Sequence, residues 1–171
     1  MFLARTEPLE SFYDEFAGGA FDGDVWVVEP AREVKRAALR VQGELESLDF
    51  LELVPHHFLH VAVPHAAVLG FPEPIDLEYA RVGCFHTAVV AEVEAPALRA
   101  LDPVPTFLPH MTLAVVRRPE APDELRRVLE PLRDNSFGSQ RVDELLRIHV
   151  ELSRERGLQP WTVVDRAKVS S

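Results

Sequence analysis

Two short runs constrain this chain more than anything else in it. FLPHMTLAVV (107–116) and HHFLHVAV (56–63) are both strand-like, and each carries a histidine followed by an aliphatic-rich tail. Successive side chains of a strand point to opposite faces. In the later run this sends Met111, Leu113 and Val115 to one face and His110, Thr112 and Ala114 to the other. In the earlier run Leu59, Val61 and Val63 share the apolar face, and Phe58, His60 and Ala62 lie opposite. His60 and His110 therefore hold the same place in their strands, with Ala62 standing where the later run has Thr112. Such a repetition predicts two similar halves, each contributing one histidine.

The surrounding pattern fits that expectation. DVWVVEP (24–30) predicts a strand stopped by Pro30. Residues 31–48 place Val34, Ala37, Ala38, Val41 and Leu45 on one helical face. Residues 65–76 read as a loop, 81–94 as one strand and 95–101 as a short helix. Residues 121–134 read as a helix with Asp123 as its N-cap and Pro131 disturbing its end. VDELLRIHVEL and PWTVVDRAKV close the chain as strands. This mixed order predicts an α+β fold of two pseudo-symmetric lobes, with largely antiparallel sheets, helices on the outer faces and a central cleft. Residues 24–169 form that domain. Residues 1–23 are an N-terminal extension, with a short helix in PLESFYDEF and a loop in AGGAFDGD.

Composition narrows the partners. At 171 residues the chain suits one domain or two intimately packed lobes. A net charge of −10 disfavours long duplex nucleic acid, whose binding is driven by Lys and Arg against phosphates. It leaves room for a small phosphorylated ligand in a locally positive pocket. Cys84 is the single cysteine, so no intrachain disulfide can form, and it reads as a buried thiol. No apolar run reaches membrane-spanning length and the start lacks a basic-then-apolar signal. The expectation is a cytoplasmic, monomeric chain without a membrane partner.

Two imidazoles aimed into one cleft suit acid–base chemistry, because the unperturbed histidine pKa of about 6.5 lies near working pH. A hydroxyl such as Thr112, roughly 7 Å further along the strand, can donate to a phosphate oxygen. Together these parts describe metal-free attack on a cyclic phosphodiester.

In these features the chain resembles the two-histidine (2H) phosphoesterases, the superfamily of 2′-5′ RNA ligase-like proteins and 2′,3′-cyclic phosphodiesterases. Their hallmark is a pair of His-x-Thr/Ser-x motifs. HMTL (110–113) matches fully, and HVAV (60–63) matches except at Ala62. DVWVV, the 31–48 helix and VPHHFLH (54–60) follow the family's order into its first motif. PHMTLA resembles its second motif, and HVELSRERGLQPWTVV its final strand pair. The resemblance covers about residues 24–169. It implies that His60 and His110 share the acid and base roles, that Thr112 holds a phosphoryl oxygen, and that Ala62 occupies the place of a second phosphate-binding hydroxyl. It also implies no cofactor and no metal, with a small nucleotide or an RNA terminus as partner. The spacing between the motifs is short for such a family, which predicts a more open cleft.

The remaining candidates are weaker. His56 and His57 read as a loop-to-strand junction rather than a metal site, because no acid or cysteine set completes one. His86 and Thr87 are adjacent and so face opposite ways. In LLRIHVEL, Ile148, Val150 and Leu152 mark a core face. Arg147, His149 and Glu151 point the other way, where Arg147 and His149 are candidates for substrate binding or for a solvated face. Trp26 and Trp161 read as core residues, with base stacking as the alternative. Arg117 and Arg118 read as a solvated pair beyond the second motif.

Overall fold

The computed structural model describes residues 7–63, 74–100 and 108–169. Its strands are β1 (Ala20–Val28), β2 (Leu51–Leu53), β3 (Val61–Val63), β4 (Ile75–Cys84), β5 (Ala88–Glu94), β6 (His110–Val116), β7 (Gly138–Val142), β8 (Glu144–Ser153), β9 (Gly157–Leu158) and β10 (Thr162–Lys168). Its α-helices are α1 (Arg32–Leu45), α2 (Pro96–Ala100) and α3 (Asp123–Leu129). Among the described residues every strand pairing is antiparallel. The sheet runs β10-β8-β1-β3-β6-β5-β4-β7, with β2 on β6 and β9 on β8. The expected α+β fold is therefore present. Along that eight-strand path four strands lie on each side of the junction between β3 and β6, the two strands that carry the repeated motif, and β2 lies on the same edge of β6 as β3.

One face of the sheet holds the main core. Val34, Ala38, Val41 and Leu45 of α1, with Leu125 and Leu129 of α3, are buried there against Val28, Val61, Leu77, Met111 and Leu113. This is the helical face expected from the spacing of residues 31–48. The opposite face carries two small apolar patches instead. One is Val27, Leu146 and Ile148; the other is Ala88, Val90 and Val115. These patches flank the motif strands.

Several local expectations are corrected. AGGAFDGD is not a loop throughout: β1 begins at Ala20 because Ala20 to Val27 ladder onto Ser153 to Leu146. The expected single strand over 81–94 is a hairpin, broken by a turn at Phe85 to Thr87. His56–Phe58 is a 3-10 turn, so β3 is only three residues long and His60 lies immediately before it. Asp123 is the first helical residue of α3 rather than its cap, and pairs with Arg126. The helix then tightens into a 3-10 turn over Glu130–Leu132, where Pro131 sits. The expected loop at 65–76 lies mostly outside the described residues.

A bulge in β6 has the largest consequence. Val90 is opposite Thr112 but Val89 is opposite Ala114, so β6 holds one extra residue there. Leu113 and Ala114 both enter the main core, and Val115 crosses to the other face beside Val90. Strict alternation assigns Ala114 and Val115 the reverse way. The bulge is held by Gln42, a buried polar residue on the inner face of α1. Its amide donates to the carbonyls of Val54, at 2.7 Å, and Leu113, at 2.8 Å. Val54 and Leu113 also join directly, through the Val54 N–H at 2.9 Å. One side chain thus ties the segment entering the first motif to the strand leaving the second.

Residues 7–19 lie across the domain. Leu9 bridges Glu120, and the Ser11 hydroxyl donates to the Arg117 carbonyl at 3.0 Å. Tyr13 is buried and its hydroxyl donates to Glu52 at 2.6 Å. Glu52 also accepts the Leu158 N–H at 2.8 Å, and a Cβ at the neighbouring Gly157 would collide with its carboxylate. That contact and a φ of +73° reserve the position for glycine.

Gln42→Leu removes two buried hydrogen bonds and takes from the Val54 carbonyl its Gln42 donor, while Leu113 keeps the Val54 N–H, so it is expected to cost about 1–3 kcal/mol of stability in urea unfolding. A change within experimental error would show that Gln42 does not hold the bulge.

Candidate active site

The geometry of the site follows from one pairing: Val61 lies directly opposite Met111. The strands are antiparallel, so continuing this register by one residue sets His60 against Thr112 and Ala62 against His110. All four side chains project from the face opposite to the buried Val61 and Met111. The next strands extend the rows. Val27 lies opposite Ala62, Val90 opposite Thr112, and Glu92 opposite His110. The two motifs thus meet at the middle of the sheet, crosswise, each histidine facing the other motif's third position.

Both imidazoles are held in the same way. Nδ1 of His60 donates to the Phe58 carbonyl at 2.8 Å, and Nδ1 of His110 donates to the Leu108 carbonyl at 2.7 Å. A carbonyl can only accept, so the proton sits on Nδ1 and Nε2 is left for chemistry. The supports around the two rings are aromatic. The Trp161 indole N–H donates to the same Phe58 carbonyl at 3.0 Å, and its ring meets Phe58 edge-on at 5.5 Å. The Phe85 ring meets His110 edge-on at 4.8 Å.

Electrostatics keeps both rings neutral more readily than in water. Desolvation is the main cause of a lowered pKa at His60, and the nearby His110 lowers it further, against the Phe58 carbonyl bond. Desolvation likewise lowers His110, opposed by the Leu108 carbonyl and by the charge of Glu15. By the register His60 and His110 lie diagonally across the seam, two positions apart. A pocket of about 360 Å³ opens beside His110, among Arg81, Glu92, Arg99, Leu108 and Arg133. Small-molecule sites run from roughly 300 to 1,000 Å³. Arg81 pairs with Glu92 at 3.1 Å, and Arg81, Arg99 and Arg133 outnumber Glu92 and Glu94 in the lining, so the pocket is locally positive.

The structure thus brings together His60, Ala62, His110 and Thr112. It does not bring Arg147 and His149 to them. Trp26 is opposite Arg147 and Asp24 opposite His149, whereas Val27, one residue on from Trp26, is the residue opposite Ala62. Arg147 and His149 therefore lie on the other face, where Arg147 sits over the Trp26 ring and His149 pairs with Asp22 and Asp24. Ile148 correspondingly belongs to the small patch on the histidine side. Asp22, His149 and Glu151 could hold a metal ion by their spacing, but they too are on that other face. His149 is held above the ordinary histidine range, chiefly by its bond to Asp24. Phe85 and the N-terminal turn Phe12–Glu15 are site neighbours that the sequence does not single out. Trp161, read from the sequence as a core residue with base stacking as the alternative, is partly buried and braces the Phe58 carbonyl.

No protein-family model matches the chain, and no curated protein matches it. Solved structures do. Protein TT0787 of Thermus thermophilus superposes with a TM-score of 0.63 at 20% identity, covering 86% of this chain and 97% of that one. LigT of Escherichia coli, without ligand, gives 0.59 at 13% identity, covering 88% and 98%. A protein described as a phosphoesterase gives 0.59 at 14% identity, covering 88% and 100%. At such identities the likeness is one of fold. The fold is the one that TT0787, LigT and that phosphoesterase share with this chain. Among the described residues no helix is long and apolar enough to cross a membrane.

The shifts have opposite signs on the two faces. His60 and His110 should titrate below the ordinary value of 6.5 and His149 above it in a histidine NMR titration. Because the folded state binds protons less well at His60 and His110, their contribution to stability is present above the unfolded-state value and is lost as pH falls from there through the folded values. His149 contributes in the opposite sense, its share being lost as pH rises. Normal or raised values at both motif histidines would contradict the desolvated site.

Proposed function

We propose that the chain is a metal-independent phosphoesterase that opens the 2′,3′-cyclic phosphate of a small nucleotide or RNA end. The observation that carries this reading is the crosswise meeting of the two motifs at Val61 and Met111. One imidazole Nε2 takes a proton from water as its oxygen attacks phosphorus. The other gives a proton to the ribose oxygen as the P–O bond breaks. The hydroxyl of Thr112 donates to a non-bridging phosphoryl oxygen. No Lewis acid is needed in that sequence, since both proton transfers have a named partner. The pocket beside His110 offers room for the rest of the ligand. Structures of LigT complexed with 3′-AMP, ATP and NADP+ lend support to a nucleotide ligand. A monomer suffices for the reaction, because both histidines come from one chain.

Ala62 favours a second reading, a catalytically impaired protein that binds a nucleotide or a protein partner. The side chain is exposed, opposite His110, at the place where Thr112 stands opposite His60. It can give no hydrogen bond to an anion there. A bond to a charged group is worth about 1.5–3 kcal/mol, so its absence slows a reaction roughly tenfold to a hundredfold if it acts in the transition state.

Purified protein in excess chelator should hydrolyse a 2′,3′-cyclic nucleotide, with activity lost in His110→Ala and in His60→Ala. Ala62→Thr should raise kcat about 10–100-fold. Nucleotide binding by calorimetry with no turnover, even in Ala62→Thr, would decide for the binding protein. Turnover that survives His110→Ala would remove the phosphoesterase assignment.

A further inference from the structure

The pocket beside His110 carries charges that the acid–base step does not use. One row of paired positions crosses the sheet from His110 to Glu92 of β5 and on to Arg81 of β4. Neighbouring strands lie about 4.8 Å apart, so Arg81 stands roughly 10 Å from His110, backbone to backbone. Its guanidinium pairs with Glu92 at 3.1 Å and with Glu94 at 3.7 Å. Both acidic residues of the lining are thereby engaged, and the rest of the lining adds no third one.

Two further arginines line the same pocket, Arg99 and Arg133. Arg99 lies in α2, which follows β5 directly. The Arg133 carbonyl accepts the Val82 N–H at 3.2 Å, which fixes its backbone against β4, one residue from Arg81. Both arginines are exposed, and neither side chain forms an ion pair or hydrogen bond with another described residue. One pocket of about 360 Å³ thus joins an imidazole of the proton-transfer site to two unengaged guanidinium groups.

We propose that Arg99 and Arg133 form a subsite for a second phosphate, the one on the 5′ oxygen of the nucleotide whose 2′,3′ edge lies between the motif histidines. This rests on the phosphoesterase reading in one respect: it takes the meeting of the two motifs as the seat of the first phosphate. An RNA nucleotide carries phosphate at its 2′,3′ edge or at its 5′ oxygen, on opposite sides of the ribose. With the first placed at the motifs, the second belongs to the 5′ oxygen. The guanidinium fork matches phosphate oxygens in pairs, which a point charge does not. The chain as a whole has a net charge of −10 and repels a long polyanion. The selection is therefore for one further phosphate close to the cyclic one, which a 5′-phosphorylated nucleotide and an RNA end both supply.

Calorimetry with adenosine 3′-monophosphate and adenosine 3′,5′-bisphosphate tests the subsite without requiring turnover. The bisphosphate should bind about 10–100-fold more tightly to the natural chain, the worth of a hydrogen-bonded charge. That advantage should shrink in Arg99→Gln and in Arg133→Gln and vanish when both are changed. Arg141→Gln, at an arginine paired with Asp76 outside the pocket, changes the overall charge equally and should keep it. The dinucleotide ApAp, whose 5′-oxygen phosphate is a diester, separates the two sources. A gain there as well marks an RNA end, and a gain confined to the bisphosphate marks a free nucleotide. Equal affinity for the mono- and bisphosphate, an advantage that survives the double substitution, or one lost equally in Arg141→Gln overturns the proposal. A bisphosphate advantage in a protein that opens no cyclic phosphate would sink the phosphoesterase reading and leave the subsite standing.

Discussion

The structure depends on a short seam. Two halves of the sheet meet where β3 and β2 run beside one edge of β6; the register of β3 there is a single described pair, Val61 against Met111. Both residues are fully buried, so a slip by one position would turn the core side chains outward and the histidines inward. Burial of the apolar positions thus fixes the placement of the polar ones. The cost of misregister falls on Leu59, Val61, Met111 and Leu113, while the consequence appears at His60, Ala62, His110 and Thr112. Gln42 ties the same seam from the helix side through the Val54 and Leu113 carbonyls.

What the seam aligns, the backbone then orients. Each motif begins after a proline-containing approach, HHF after Pro55 and His110 after Pro109, and each imidazole bonds back to the carbonyl two residues earlier. The orientation therefore comes from local chain geometry, repeated in both halves. Differences between the halves lie in what surrounds the rings. Trp161 from the C-terminal end braces one carbonyl, whereas Phe85 and the N-terminal turn border the other ring. Both chain ends thus contribute to a site whose reacting groups lie in the middle of the sequence.

Much of this is legible in the sequence because a strand's two-residue period separates faces cleanly. The partnership of His60 with Ala62 and of His110 with Thr112 follows from that period alone. So does the buried face of α1, apart from Gln42, whose polar side chain gives no apolar signal. The period does not say which face of β8 looks toward the histidines. It separates Ile148 from Arg147 correctly but leaves them on the wrong sides, because both faces carry apolar patches. Nor does it foresee the bulge after Thr112, which moves Val115 across the sheet without any glycine to announce it. The role of residues 7–19 depends on contacts far along the chain, such as Tyr13 with Glu52 and Glu15 with Thr87, and local pattern carries no trace of them.

The central claim is that two imidazoles from separate halves grip one phosphate. Its most direct test follows the Nε2 nitrogens of both histidines by NMR while the protein is titrated with a nucleoside 3′-monophosphate. The account predicts that both nitrogens respond with the same apparent Kd and that each binds its proton more tightly in the complex. Saturation that perturbs only one ring, or neither, would contradict it.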